Sequence, residues 1–437
     1  MRPTWTDLSS ATRLAPLPDY YGQRYASWPL PDRQALAAPY ISPGHLDQMA
    51  AWCGFPEDLD QALRRACRRL DTHPGLKLAA LFLHWALFVE RPFYLTAWFE
   101  ALATGLWGEE AAMLGLCVLC RQVPHTLEDL ARRDHPKPED VSTNFRQLHQ
   151  YAQPHHARTG HWGLMNAAWC ALCVTPYLNT AHHLRFNPTK LEYDYHFYRH
   201  LPTGRLLGLA GGGIPLRADG LLCDEGERPA FTSTWQLQGR RVIAHQIMPS
   251  GFISPTPSSH DLGDTEQILG PGDILLGFHI PSGPGYTVDN CRLSFEAALA
   301  LFARAYPEVR PRGFISHSWL YSPQLPLMLR EQDSRIIQVQ RSLFLMPGFV
   351  DSGAFATFLF NLDSLPPPAR LPRDSRLRAL VRDWLLAGRH LSAGCALLPL
   401  DDLGRYGHQA YAGAEDWAGF ARLAGMPEAP GASSPAQ

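Results

Sequence analysis

Two histidines, His279 and His317, each stand at the end of a short apolar run, and a loop of glycine and proline lies between them. The first run, 274–280, leads into Pro281, Ser282, Gly283, Pro284, Gly285 and Tyr286. Thr287 then sits where a helix N-cap belongs, ahead of Leu293, Phe295, Ala298, Leu301 and Phe302 at helical spacing. The second run, 313–323, carries Ser316, His317, Ser318, Trp319, Tyr321 and Ser322. Imidazole titrates near neutral pH and can take the proton of an attacking amine. His317 comes first for that role because polar groups surround it, and His279 second. The rival reading is a core histidine bonded to backbone. Glycine lets backbone N–H groups approach an anion, and a helix N-terminus adds partial positive charge. Ser282, Gly283, Gly285 and Tyr286 therefore form a candidate phosphate cradle. The same Gly-Pro-Gly serves equally well simply to reverse the chain. Ser318, Gln324 and Arg341 are further candidate polar contacts to a bound cofactor. As a nucleophile Ser318 is unattractive, since no Gly-x-Ser-x-Gly elbow surrounds it.

The elements expected to hold these groups are a strand at 273–280, a helix at 287–305 and a strand at 312–320, which a right-handed crossover makes parallel neighbours. A short helix around 324–330 follows, then strands at 335–346 and 354–361 and a helix at 374–389. Upstream, 192–200 alternates, Gly204 turns the chain into 205–210, and further short strands fall at 231–238 and 241–246.

The N-terminal part has helical spacing instead. Residues 1–44, rich in proline and aromatics, are expected to form an irregular strap. Helices are expected over 43–71, in two or three apolar segments reaching Val123, and from Thr126 and Pro138 onward. The apolar stretch 76–120 is interrupted by His84, Glu90, Arg91, Pro92, Glu100, Glu109 and Glu110, so it never reaches the ~18 clean apolar residues of a membrane span. Cys117/Cys120 and Cys170/Cys173 form two Cys-x-x-Cys pairs, but their neighbours are apolar helix residues without the glycine turns of a zinc knuckle. Core packing is the preferred reading of both pairs, and no metal is expected. The pairs His155/His156 and His182/His183 lack the spacing of metal ligands.

With 437 residues the chain exceeds one ordinary core. Lys and Arg number 39 against 41 Asp and Glu, so no net field recruits nucleic acid or anionic lipid. The N-terminal residues lack the apolar core of a secretory signal, and nine cysteines, an odd number, fit reduced thiols; together these predict a cytoplasmic protein.

Gly272-Asp273, His279-Ile280-Pro281 and His317-Ser318-Trp319-Leu320 resemble the GNAT-like C-terminal domain of a bacterial family of acyltransferases. Tyr198 to Leu206, Gly213 to Gly220 and Met248 to Phe252 are similar to the connecting part of those proteins, and Gly160 to Trp169 to a helix start in their N-terminal domain. Leu184-Arg-Phe-Asn-Pro188 takes the place of a Leu-Gln-Phe-Glu segment there, with Arg185 and Asn187 replacing the Gln and Glu. The resemblance implies an α/β (α+β) chain: a helical N-terminal domain at 45–185 and a GNAT-like mixed α/β domain at 186–426; the Pro/Ala/Ser/Gly composition of 427–437 predicts a disordered tail. It implies an acyl-CoA co-substrate and a small-molecule amine or hydroxyl acceptor, with the N-terminal domain covering the acceptor side. In such a fold, 335–346 and 354–361 form the closing antiparallel hairpin. Tyr321 follows the strand after which such enzymes place a tyrosine that protonates the departing thiolate. A phenol of pKa ~10 matches a thiol of ~8.5 only modestly. A non-catalytic protein using the same cleft to bind CoA or a metabolite is the alternative.

Overall fold

The computed structural model describes residues 27–90, 111–133, 138–164, 167–224, 226–281, 283–329, 334–348, 353–362, 364–408 and 410–425. Most of the expected strap and the whole of the tail lie outside them. The chain divides into two compact units, residues 1–180 with 304–306, and 181–303 with 307–437.

The first unit is helical: α1 (Arg33–Ala37), α2 (Pro43–Cys53), α3 (Glu57–Thr72), α4 (Pro74–Trp85), a π-helical turn at Ala86–Glu90, α5 (Ala111–Ala131), α6 (Pro138–Thr159) and α7 (Ala167–Cys173). In α3 the buried residues are Leu59, Leu63, Ala66, Cys67 and Leu70, one stripe at helical period. Its first turn is acidic and Arg69 lies in its last, complementing the helix dipole. The sequence places a helix end at Val123 and a new start at Thr126, yet α5 passes through Pro124 without a break. Burial of Val123 and Thr126, and the hydrogen bond from Thr126 Oγ1 to the Val174 carbonyl, hold that turn in place of the bond proline cannot make.

The second unit is built on two main sheets and a two-stranded ribbon. Its strands are β1 (Asn179–Ala181), β2 (Leu184–Lys190), β3 (Tyr195–His200), β4 (Leu206–Ala210), β5 (Pro215–Leu216), β6 (Phe231–Thr232), β7 (Trp235–Gln238), β8 (Arg241–Met248), β9 (Phe252–Ile253), β10 (Ser258–Asp261), β11 (Thr265–Leu269) and β12 (Ile274–His279). Then follow α8 (Val288–Ala305), β13 (Gly313–Ser318), α9 (Leu325–Met328), α10 (Arg335–Arg341), β14 (Phe344–Pro347), α11 (Arg376–Leu386), β15 (Gly394–Pro399) and α12 (Ala414–Leu423). One sheet has the order β1-β2-β12-β13-β15-β14; the other runs β10-β8-β4-β3-β11 and is antiparallel. In the first sheet β12 and β13 are parallel neighbours, as expected, joined through α8. Phe295 of α8 is fully buried, with ring centroids 5.1 Å from Phe278 and 4.6 Å from Phe314. That cluster seats the helix on both strands; truncating such a ring costs about 3–5 kcal/mol.

The closing hairpin is not where the sequence puts it. Residues 335–341 form α10, only 344–347 are strand, and Phe355–Phe360 is a π-helical turn. The β-branched Ile336, Ile337 and Val339 read as strand, but burial of Ile337, Val339 and Gln340 on one side of α10 overrides that preference. The partner of β14 is β15, six buried residues in an unbroken apolar run, as a central strand covered on both faces requires.

Candidate active site

The ladder between β12 and β13 covers Leu276↔Phe314 and Gly277↔Ile315. Both strands run on past it, paired with their outer neighbours: His279 opposite Arg185 of β2, and His317 opposite Cys395 of β15. Two parallel strands that stop pairing before they end leave an opening between their C-terminal ends, and each contributes one histidine beside it.

His279 Nε2 lies 2.6 Å from Asn187 Oδ1, and Asn187 Nδ2 donates to the Pro188 carbonyl at 2.9 Å. Burial, then the nearby His317 and Arg185, push the His279 imidazole down to about 4. The ring of His317 stands 5.5 Å from that of Tyr193. Water reaches His317, yet protein flanks it closely enough that desolvation lowers it too, to about 4. Both imidazoles are therefore neutral at pH 7 and able to accept a proton.

Ser282 lies outside the described residues. Gly283 has φ of +125°, which side chains rarely adopt. Gly285 is needed for a different reason, because a Cβ there would fall 1.9–2.6 Å from atoms of the His183 ring. Asn290 Nδ2 donates to the Gly285 carbonyl at 2.9 Å, and the Thr287 hydroxyl accepts from the Asn290 N–H at 3.3 Å, so the loop is latched to the first turn of α8 as the N-cap reading expects. Arg335 Nη1 lies 3.4 Å from the Pro284 carbonyl, bringing a guanidinium to the loop. Tyr286 ends the loop with its hydroxyl 2.9 Å from that of Tyr321, which is fully buried and also bonded to Ser316. Burial pushes both phenols upward, so both stay protonated. Gly394 lets the Tyr321 turn sit on β15: a Cβ there would meet the Tyr321 carbonyl oxygen at 2.1 Å.

The remaining candidates make contacts within the protein. Ser318 Oγ caps the turn at Trp319–Tyr321 by accepting from the Leu320 N–H at 3.2 Å. Gln324 is buried, its Oε1 accepting from the Ser322 hydroxyl at 2.5 Å and the Ser392 N–H at 3.4 Å. Arg341 closes α10 at the end opposite Arg335, and its carbonyl accepts from the Tyr411 N–H at 3.0 Å. Asn187, Tyr193, His183 and Arg335 were not singled out from the sequence as site residues. Each is brought in by strand register or by a distant turn, which residue type and local spacing do not reveal.

Residues 185–398 match the GNAT-like C-terminal domain. The match spans the site residues named above except His183. No curated protein matches the chain. Among solved structures, an acyltransferase in complex with decanoyl-CoA and teicoplanin is similar with a TM-score of 0.58 at 19% identity, over 92% of this chain and 100% of that one. An acyltransferase in complex with decanoyl-CoA gives 0.56 at 19% identity, over 90% and 99%. A mutant acyltransferase in complex with octanoyl-CoA gives 0.56 at 18%, over 92% and 100%. At these identities the likeness concerns the fold, a helical N-terminal part followed by the GNAT-like mixed α/β domain.

Proposed function

We propose that the protein transfers an acyl group from an acyl-CoA thioester to the amine of a small-molecule acceptor. The observation that carries this reading is the pair of neutral histidines beside the opening where β12 and β13 cease to pair. The acceptor nitrogen attacks the thioester carbonyl carbon, an imidazole takes its proton, and the C–S bond breaks to release CoA thiolate. Tyr321, kept protonated and bonded to Tyr286, is the hydrogen-bond donor to that sulfur in this reading, and the released thiolate takes its proton from solvent. Gly283, Gly285 and Tyr286, with Ser282, form the phosphate cradle at the start of α8, and Arg335 supplies the cation beside it. The decanoyl and octanoyl chains bound by the similar structures favour a donor of that length.

The N-terminal helical unit corresponds, in this reading, to the N-terminal domain of the same acyltransferases. The buried free cysteines suit a reducing compartment, hence the cytoplasm. Calorimetry with acetyl-, octanoyl- and decanoyl-CoA, followed by release of free CoA thiol in the presence of amines, tests the proposal. One tight site for the longer donors, with thiol released only when an amine is supplied, is the expected result. Binding without turnover of any amine would leave a CoA-binding protein, and no binding would end both readings.

A further inference from the structure

We infer that Asn187 is the positioning residue of His279: it fixes the proton on Nε2 and makes Nδ1 the nitrogen that accepts one. The catalytic consequence rests on the acyl-transfer reading, while the tautomer itself rests on local geometry alone.

The oxygen and nitrogen of an amide are told apart by their partners. Asn187 Nδ2 is 2.9 Å from the Pro188 carbonyl, which only accepts, so the amide oxygen faces the imidazole. An oxygen acceptor 2.6 Å from Nε2 requires a hydrogen on that nitrogen. In the neutral ring the lone pair then belongs to Nδ1. The sheet is shaped for this contact. Asn187 is the register partner of Gly277, two residues before His279 on β12. A Cβ on Gly277 would stand 3.1 Å from Asn187 Oδ1, so the glycine leaves the lane along which the amide reaches His279. Asn187 is only 8% exposed, which shelters the bond from competing water.

When Nδ1 takes the proton from the attacking nitrogen, one N–H bond breaks and one forms, and the Nε2–H bond to Asn187 becomes charge-assisted. Among the described residues, Arg185 on β2 and His317 on β13 are charged or titratable groups that act on His279, and both disfavour the imidazolium. Asn187 adds no charge, so it orients the base without raising its affinity for protons. His317, which water reaches, then passes the proton outward or lines the acceptor's path.

The test uses the full chain labelled with ¹⁵N-histidine, read by long-range ¹H–¹⁵N correlation, with His279→Gln assigning the signal. Wild type at pH 7 should show His279 as one tautomer, protonated on Nε2. Asn187→Leu, similar in size but without an acceptor, should mix the tautomers and lower turnover by about tenfold or more, with KM for acyl-CoA unchanged. Asn187→Asp should keep Nε2–H, raise the His279 titration midpoint by ~1 unit or more, and move the acid limb of the rate profile with it. A wild-type His279 protonated on Nδ1 overturns the inference, as does an Asp variant whose midpoint stays put. Should the Leu variant not fold, the Asp variant decides. If no acyl-CoA is turned over, the acyl-transfer reading fails and the spectra still decide on Asn187.

Discussion

The hydroxyl of Tyr286, which ends the glycine loop, meets the hydroxyl of Tyr321, in the turn after β13, at 2.9 Å. One contact thus ties the loop after β12 to the end of β13, across the opening between the two strands. Tyr286→Phe and Tyr321→Phe each break it and should each cost about 1 kcal/mol of stability in denaturant unfolding. Their kinetics should differ. Tyr321→Phe removes the proposed donor to sulfur and should lower turnover about tenfold or more, while Tyr286→Phe stays within about threefold of wild type. Equal losses would reduce the pair to a structural tie.

Gly285 packs directly over His183, and that close approach is a handle on the loop. Gly285→Ala must displace the ring or the loop, and should weaken octanoyl-CoA binding about tenfold or more with helix content unchanged. Removing the obstacle in a His183→Ala, Gly285→Ala double variant should restore much of the affinity. Replacing both Gly283 and Gly285 should weaken binding further; a well-folded double variant of wild-type affinity would take the loop out of the phosphate site.

How much of this was legible depends on the range of the interaction. The unit from β12 through α8 to β13 is written locally, in two apolar runs, a Gly-Pro loop, Thr287 and a helical stripe, and it forms as expected. The end of the sheet is not. Arg335 to Arg341 has strand-like residues, yet it is helical because one side is buried, and the sequence carries no local mark of that burial. β15 did leave a mark, the run Cys395-Ala-Leu-Leu398, which is continuous rather than alternating and so gives no period to read. In the site, the histidines were visible as residue types at strand ends. Asn187 was visible only as a departure from a family segment, because its role comes from the register that sets it opposite Gly277.

The lowered histidines make a prediction about acid. Burial holds His84 down at about 3, and His279 and His317 lie at about 4. In the unfolded chain all three return to about 6.5. Between those values the unfolded state binds more protons than the folded one, so stability rises with pH across the window and is lost as pH falls from about 6.5 towards 4. Denaturant midpoints measured at pH 7, 6 and 5 should decline in that order, and His84→Gln should flatten the decline. A midpoint insensitive to pH over that range would contradict the placement of these rings.

Cys117 and Cys120 lie fully buried on α5, and Cys170 and Cys173 on α7. A hydrogen bond with Cys67 and burial raise the Cys117 thiol, and burial raises that of Cys120, so neither readily becomes the thiolate a metal needs. No cluster of three metal-ligating side chains occurs among the described residues. Elemental analysis of protein purified without added metal should find no stoichiometric zinc. One zinc per chain, lost in Cys117→Ser, would reverse this reading.

The two histidines differ in a way that kinetics can resolve. His279 is oriented by Asn187, whereas His317 is reached by water and faces Tyr193. Glutamine keeps hydrogen-bonding capacity at either position but cannot take up a proton. His279→Gln should therefore lower turnover by about 10²-fold or more while acyl-CoA affinity, read by calorimetry, barely moves. His317→Gln should also lower turnover; if His317 only carries the proton outward, small exogenous imidazole should recover part of the loss, since solvent has access to that position. With a base at about 4, the imidazole stays neutral from pH 8 down to about 5, so the wild-type rate, corrected for the fraction of acceptor present as free amine, should stay level over that range and fall only below it. A rate that already halves near pH 6.5 would mean that the working base is a solvated imidazole. Loss of acyl-CoA binding in either variant would instead make that histidine part of the donor site.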